Sequence, residues 1–345
     1  MTKTDKAEEG GEARRVSIST VAARAGVSIA TVSRVVNGVS NKASAETIAR
    51  VRAAIAELGY RPSGAGQALR RRESRIVAVI AANLANPAMS AIAASAEGAL
   101  REAGYVMVLC DSHDRADLQD EYLREMRAQL VSAFVLLGAV ESPVLDEIVA
   151  AGERTVFVNR RHPGNPSLPF VGIDNHRAAA EVAAEIARWR PDGILMIHGP
   201  LGSSATRDRV DAFREACARH CPGARLDIRG GEAPDHLDIG YRITQEHLRA
   251  TGRAPGAIFG LSDLIAYGAS RALREAGLRV PGDCRVMGFD DNPLNDWIAP
   301  WLSSVRVPYE SFGTAILDCL RELGAGRQVT DFHLPHALVL RGQAG

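Results

Sequence analysis

Residues 17–37 read Ser17-Ile-Ser-Thr-Val-Ala-Ala-Arg-Ala-Gly-Val-Ser-Ile-Ala-Thr-Val-Ser-Arg-Val-Val-Asn37. Two short helices separated by a glycine fit this pattern. Val21, Ala22 and Ala25 give the first helix a small apolar face against which a second helix can cross closely. Gly26 can take the left-handed conformation that ends a helix, Val27 then turns inward, and Ser28 is free to cap the second helix. From Ile29 on, Val32, Val35 and Val36 recur at helical spacing and point inward. Ile29, Ala30, Ser33, Arg34 and Asn37 are left on the other side. That outer face is short and small and carries one arginine, the shape and chemistry that enter a major groove. A third helix is expected from the cap Ser44 to Leu58, with Ile48, Val51, Ile55 and Leu58 on one face and Gly59 as its stop.

Three helices in so few residues also fit a plain packing unit. Charge decides between the readings. Residues 13–75 hold twelve Lys or Arg against three acids, and the balance is +7 over residues 1–75 and −7 over the rest of a chain whose total is zero. Such segregation points to a polyanion bound at one end. Ile29, Ala30 and Arg34 are the candidate base readers, with Ser28, Thr31, Ser33 and Asn37 on the phosphate backbone.

The run from Val21 to Asn37, followed by Glu57-Leu58-Gly59-Tyr60-Arg61-Pro62, resembles the headpiece of the LacI/GalR family of bacterial transcriptional repressors. The likeness extends over nearly the whole chain after residue 15. It implies a helix-turn-helix headpiece with a hinge helix, then an α/β core like a periplasmic binding protein, made of two Rossmann-like halves. It also implies that Leu69 in the hinge wedges into the minor groove at the operator centre, at a CpG step. Gly64 and Gly66 depart from the family pattern, each disfavouring helix by about 1 kcal/mol relative to Ala, so this hinge should depend strongly on DNA to fold.

Outside the headpiece, residues 1–15 lack periodicity and read as a disordered tail. Residues 16–61 are the DNA-binding domain and 62–74 the hinge. From residue 75, short apolar strands such as Ile76–Ala81, Ala133–Leu137, Ile194–His198 and Arg285–Phe289 alternate with helical stretches, the signature of parallel sheets covered on both faces. So many strands exceed one ordinary sheet. Two subdomains are expected, one of residues 75–173 and 302–326, the other of 174–301 and 327–345, with crossings near Asp174, Trp301 and Gly326.

In open α/β sheets ligands bind beyond the carboxyl ends of strands. Asn83, Asn86, His113, Arg160, Asp174, Ser262, Asp263 and Asp290 stand at such ends and suit a small hydroxylated ligand. Trp301 could offer a stacking face or pack between subdomains. The resemblance adds Arg207, as the arginine of the family's Ser-x-x-Arg-x-x-x-Phe stretch, and Asp290, as the first aspartate of Gly-Phe-Asp-Asp, as effector contacts. It makes the effector a sugar or sugar derivative. Asn86-Pro87-Ala88-Met89, Ser262, and Asp235 or His236 depart from the family residues at their positions and reduce the surface for sugar stacking.

Other classes fare worse. No apolar run reaches membrane-span length and no apolar stretch follows the charged N-terminus, so a cytoplasmic protein is expected and a secreted sugar carrier is not. No nucleophile elbow, Walker loop or metal cluster occurs, and the five scattered Cys read as reduced structural thiols. Neither an enzyme nor a bound cofactor or metal is expected. The partners are double-stranded operator DNA, a small carbohydrate-like effector, and a second copy, because a single headpiece reads too few base pairs and two-fold symmetry matches a palindrome.

Overall fold

Ser17 and Ser44 lie in extended backbone, and each side chain accepts a backbone N–H three residues on, from Thr20 and Thr47 respectively, at 3.2 Å. These caps start helices α1 (Ile18–Ala25) and α3 (Ala45–Leu58); α2 spans Ile29–Val36. Gly26 and Gly59 end α1 and α3 at φ of 65° and 61°. Val21, Ala22, Ala25, Val32, Val51 and Ala54 are buried together, while Ile48, Ile55 and Leu58 of the expected α3 face are only half-buried. Arg24 ties α1 to α3 through Glu57, with its Nη2 2.7 Å from Oε2.

The computed structural model describes residues 16–36, 43–60, 74–232, 235–329 and 331–341. The chain forms two units, 1–74 and 75–345. The tail, Asn37 and the hinge with Leu69 lie outside the described residues, Ser74 excepted.

In the second unit the strands are β1 (Ile76–Ala81), β2 (Val106–Asp111), β3 (Ala133–Leu137), β4 (Thr155–Val158), β5 (Phe170–Ile173), β6 (Gly193–His198), β7 (Arg225–Gly230), β8 (Ala257–Gly260), β9 (Arg285–Met287), β10 (Ser304–Arg306), β11 (Phe332–Leu334) and β12 (Ala337–Val339). The helices are α4 (Pro87–Glu102), α5 (Ala116–Ala128), α6 (Pro143–Ala150), α7 (Asn175–Arg188), α8 (Ser204–His220), α9 (His236–Thr251), α10 (Asp263–Glu275), α11 (Asn295–Ile298) and α12 (Tyr309–Gly324). A six-stranded parallel sheet runs β11-β5-β4-β3-β1-β2 and a four-stranded one runs β7-β6-β8-β9. Central strands such as β3 and β4 are buried throughout, as strands covered on both faces must be.

The first crossing between subdomains falls at Asp174, between β5 and α7. The other two depart from expectation. Leu302 to Val305 is buried beside the second sheet, with bridges from Ser303 to Met287 and Arg306 to Asp290, so the second crossing comes after Arg306 and not near Trp301. Gly326, at φ 69°, is a turn just past α12, and β11 then pairs with β5, Phe332 opposite Val171. The third crossing therefore follows Leu334, after which β12 pairs antiparallel with β10. β7, β10, β11 and β12 were not legible as strands. Each is either three residues long or, like β7, a polar edge strand alternating Leu226 and Ile228 with charged residues.

Candidate functional site

On α2, burial of Val32 at 0 % exposure fixes which face turns outward. Ile29 is 48 % exposed, unusual for an isoleucine, and Ala30 is exposed beside it. Arg34 Nε donates to the Ala30 carbonyl at 3.2 Å, which lays the guanidinium along the same face. Ser28 Oγ accepts the Thr31 N–H at 3.2 Å and lies 2.9 Å from Thr31 Oγ1, so both hydroxyls sit at the helix start; Ser33 is half-buried one turn on. Ser28, Ile29, Ala30 and Thr31 thus stand at the start of α2, and Arg34 in its last turn reaches back to Ala30, with Ser33 half-buried between them.

In the second unit, the strand ends of both subdomains enclose a cavity of about 550 Å³. Six expected ligand-contact residues line it: Asn83, Asn86, His113, Arg160, Ser262 and Asp290. Four helix N-termini converge there, and each cap is made by a lining side chain: Asn86 for α4, Ser203 for α8, Asp235 for α9 and Ser262 for α10. His113, Asp114, Asn159 and Asp290 all line the cavity with positive φ, Asp290 at 111°. Backbone strain at non-glycine residues thus gathers at the cavity wall.

Two charged groupings shape the interior. Arg160 pairs through both terminal nitrogens with Asp114. Arg209, only 8 % exposed, donates from Nε to Asn175 Oδ1 at 2.8 Å and from Nη1 to the Leu261 carbonyl at 3.1 Å, and its guanidinium lies 3.4 Å over the Phe289 ring. Burial pushes the Asp290 carboxyl up to about 6 against the opposing pull of Arg209. His236 Nδ1 is 2.9 Å from Ser262 Oγ, and burial together with the nearby arginines holds this imidazole below its usual range. The Tyr309 hydroxyl is buried in this wall beside Asp290 and helps Arg209 hold that carboxyl down.

The model for bacterial regulatory proteins of the lacI family matches residues 17–63, and that for a periplasmic binding protein-like domain matches residues 171–342. An uncharacterised HTH-type transcriptional regulator from the aml 5′ region of Streptomyces limosus is 31 % identical over 345 aligned residues, covering 94 % of this chain and 93 % of that one. The chain belongs to the LacI family.

Further relatives agree. The ribose operon repressor of Halalkalibacterium halodurans is 29 % identical over 86 % of each chain. The lac repressor dimer bound to operator and the anti-inducer ONPF superposes with a TM-score of 0.81 at 26 % identity, over 95 % of this chain and 98 % of that one. The complex of the transcriptional regulator CelR with cellobiose gives 0.70 at 28 % identity, over 96 % and 100 %. The protein is a LacI-family transcriptional regulator and not an enzyme, and among the described residues no helix is long and apolar enough to cross a membrane.

Within this LacI-family cleft four expected ligand contacts do not line the cavity. Arg207 turns away, its Nη1 donating to the carbonyls of Leu201 and Gly202 at 2.7 and 3.0 Å. Arg209 takes the inward place because it shares a helix face with Ala205 and Phe213, four residues either side, and both are buried. That spacing was readable in the sequence, and placing the motif two residues early hid it. Asp174 caps α7 by accepting the Arg177 N–H at 2.8 Å. Asp263 points into the protein, accepting from Ser304 Oγ at 2.6 Å, the Asn292 N–H at 2.7 Å and Asn295 Nδ2 at 2.8 Å. Burial and the neighbouring Asp290 push its carboxyl up to about 7. Trp301 packs half-buried against the core. Sequence reasoning also passed over Asp114, Thr206 and Tyr309, which line the cavity.

Proposed function

We propose that the protein is an effector-controlled, sequence-specific DNA-binding repressor that acts as a homodimer on a pseudo-palindromic operator. Ile29 and Ala30 meet base edges and thymine methyls, Arg34 donates to a guanine, and Ser28, Thr31 and Ser33 hold phosphates. Asn37 on the backbone and Leu69 as the central wedge complete the interface, as the resemblance implies.

The effector is a carbohydrate-like molecule in the cavity bounded by Asn83, Asn86, His113, Arg160, Ser262 and Asp290, with Arg209 in place of Arg207. One observation carries this reading. The cavity is walled by the strand ends of two subdomains joined by three crossings, so an occupant touches both and its affinity depends on how far they close. A ligand that prefers one degree of closure shifts the population toward it, and only such a ligand can act as a switch. The cellobiose in the CelR complex supports the ligand class.

The test is titration of the purified protein against the DNA upstream of its own gene, at fixed salt because phosphate contacts alone move affinity by orders of magnitude. A panel of sugars and sugar derivatives is added in turn. Tight, competitor-resistant binding that one ligand alters is the expected result. Binding removed by non-specific DNA, with no ligand effect, would overturn the reading for this operator.

A further inference from the structure

We infer that the ligand of this cleft is electrically neutral, a polyhydroxylated molecule bearing neither phosphate nor carboxylate. The inference rests on the effector reading above and concerns which members of that class the cavity admits.

The cations that line the cavity are already engaged. Arg160, with its side chain only 18 % exposed, gives both terminal nitrogens to Asp114, so the pair adds no net charge. Arg209 is held by Asn175, the Leu261 carbonyl and the face of Phe289, and its field falls on Asp290. Asp235 remains as a third lining carboxylate with no lining guanidinium to balance it. It spends one oxygen on the Leu237 and Asp238 N–H groups at 2.9 and 3.3 Å. Among the described residues no lysine lines the cavity.

The two histidines do not reverse this balance. His236 is kept below its usual range and meets Ser262 Oγ, while His113 Nδ1 stands 3.6 Å from the Asp111 carboxylate. At the rim, Arg161 is paired with Asp331 at 2.5 Å and Arg207 with loop carbonyls. At each of the four converging helix N-termini a lining side chain takes one or two of the free N–H groups, and at α9 that side chain is itself a carboxylate.

The wall offers mostly acceptors. The second oxygen of Asp235 and the carboxylate of Asp290 can take O–H or N–H donors, and the amides of Asn83 and Asn159 and the Tyr309 hydroxyl can both give and take. Sugar hydroxyls supply donors and acceptors in pairs. A phosphate dianion or carboxylate supplies none of the donors and would face the unbalanced carboxylate of Asp235, or would have to break the Arg160–Asp114 pair.

The experiment uses the full chain and calorimetry at fixed ionic strength with matched sets: neutral mono- and disaccharides, and the 6-phosphate and uronic acid of each. Binding is assigned to the cleft where Arg209→Met abolishes it at a temperature at which circular dichroism shows the variant folded, which separates it from anion binding elsewhere on the protein. A neutral member should bind, and its charged counterparts should bind at least tenfold more weakly, a difference of about 1.4 kcal/mol. In Asp235→Asn, which keeps a competent helix cap, the gap should narrow several-fold. A charged member that binds as tightly as its neutral counterpart, or a gap unchanged in Asp235→Asn, overturns the inference. If no member of any class binds, it is the carbohydrate reading that fails, and this inference goes with it.

Discussion

Substitution of Arg209 by methionine sets the cleft geometry against the motif reading, which favoured Arg207. Methionine keeps the apolar stem in place but removes two hydrogen bonds, to Asn175 and to the Leu261 carbonyl, and the guanidinium over Phe289. Hydrogen bonds from a charged group contribute about 1.5–3 kcal/mol each, and the cation–π stack adds about 0.5–2 kcal/mol. Relief of the desolvation of a buried guanidinium offsets part of this. Removing one member of a buried charge cluster costs a net of about 3–5 kcal/mol. In a unit of this size the midpoint of thermal unfolding should fall by roughly 6–20 °C. Without Arg209 the Asp290 carboxyl loses the pull that holds it down and rises above about 6. Arg207→Ala, by contrast, deletes an exposed side chain that donates only to loop carbonyls, and should change stability by no more than about 0.5 kcal/mol. Scanning calorimetry of the two variants beside the parent needs no knowledge of the ligand. If Arg207→Ala were the destabilised variant, or if Arg209→Met unfolded within a degree or two of the parent, the assignment of the inward arginine would be wrong.

Other outcomes rest on the same kind of contact. Arg34→Ala should lose about 1–3 kcal/mol of operator affinity and tolerate base changes at one position, and quantitative footprinting on a set of mutated operators checks both. Gly240→Ala and Gly268→Ala would place a Cβ about 2.0 Å from the carbonyls of Ile265 and Leu237, where α9 and α10 approach most closely. Each should lose about 1–3 kcal/mol or more by denaturant titration. The pH dependence has a defined sign. Asp290 and Asp263 titrate in the folded protein at about 6 and about 7, above the unfolded range near 4, so the native state keeps protons that the unfolded chain has shed. Their contribution is fully present below about pH 4 and is lost as pH rises through about 6 and then about 7. Unfolding midpoints across this window should therefore show a downward component that is smaller in Asp290→Asn.

The headpiece helices were legible because what makes them is local. Two serine caps, two glycine stops and valines at helical spacing lie within a few residues of what they determine. Strand ends such as Asn83 and Asp290 were legible for a similar reason, since an apolar run followed by a polar residue marks where a strand emerges. The inward direction of a residue at such an end is set by partners far along the chain. Ser262 faces the cavity and Asp263, one residue later, is buried on Asn292, Asn295 and Ser304, which no local pattern announces. The second and third crossings were misplaced for the same reason. Whether residues 332–334 belong to one sheet or the other depends on pairing with Val171 and its neighbours, more than 150 positions earlier.

That pairing bears on how the protein is made. The small core of the first unit is closed by contacts among residues 16–60, whereas the six-stranded sheet completes one of its edges only with β11, more than 150 positions after the Val171 it pairs with. Until β11 arrives, β5 is an open edge in a partly assembled sheet, the kind of surface that recruits other chains. A fragment cut short before Phe332 therefore keeps every contact of the small helical core but leaves the β5 edge of the large sheet bare.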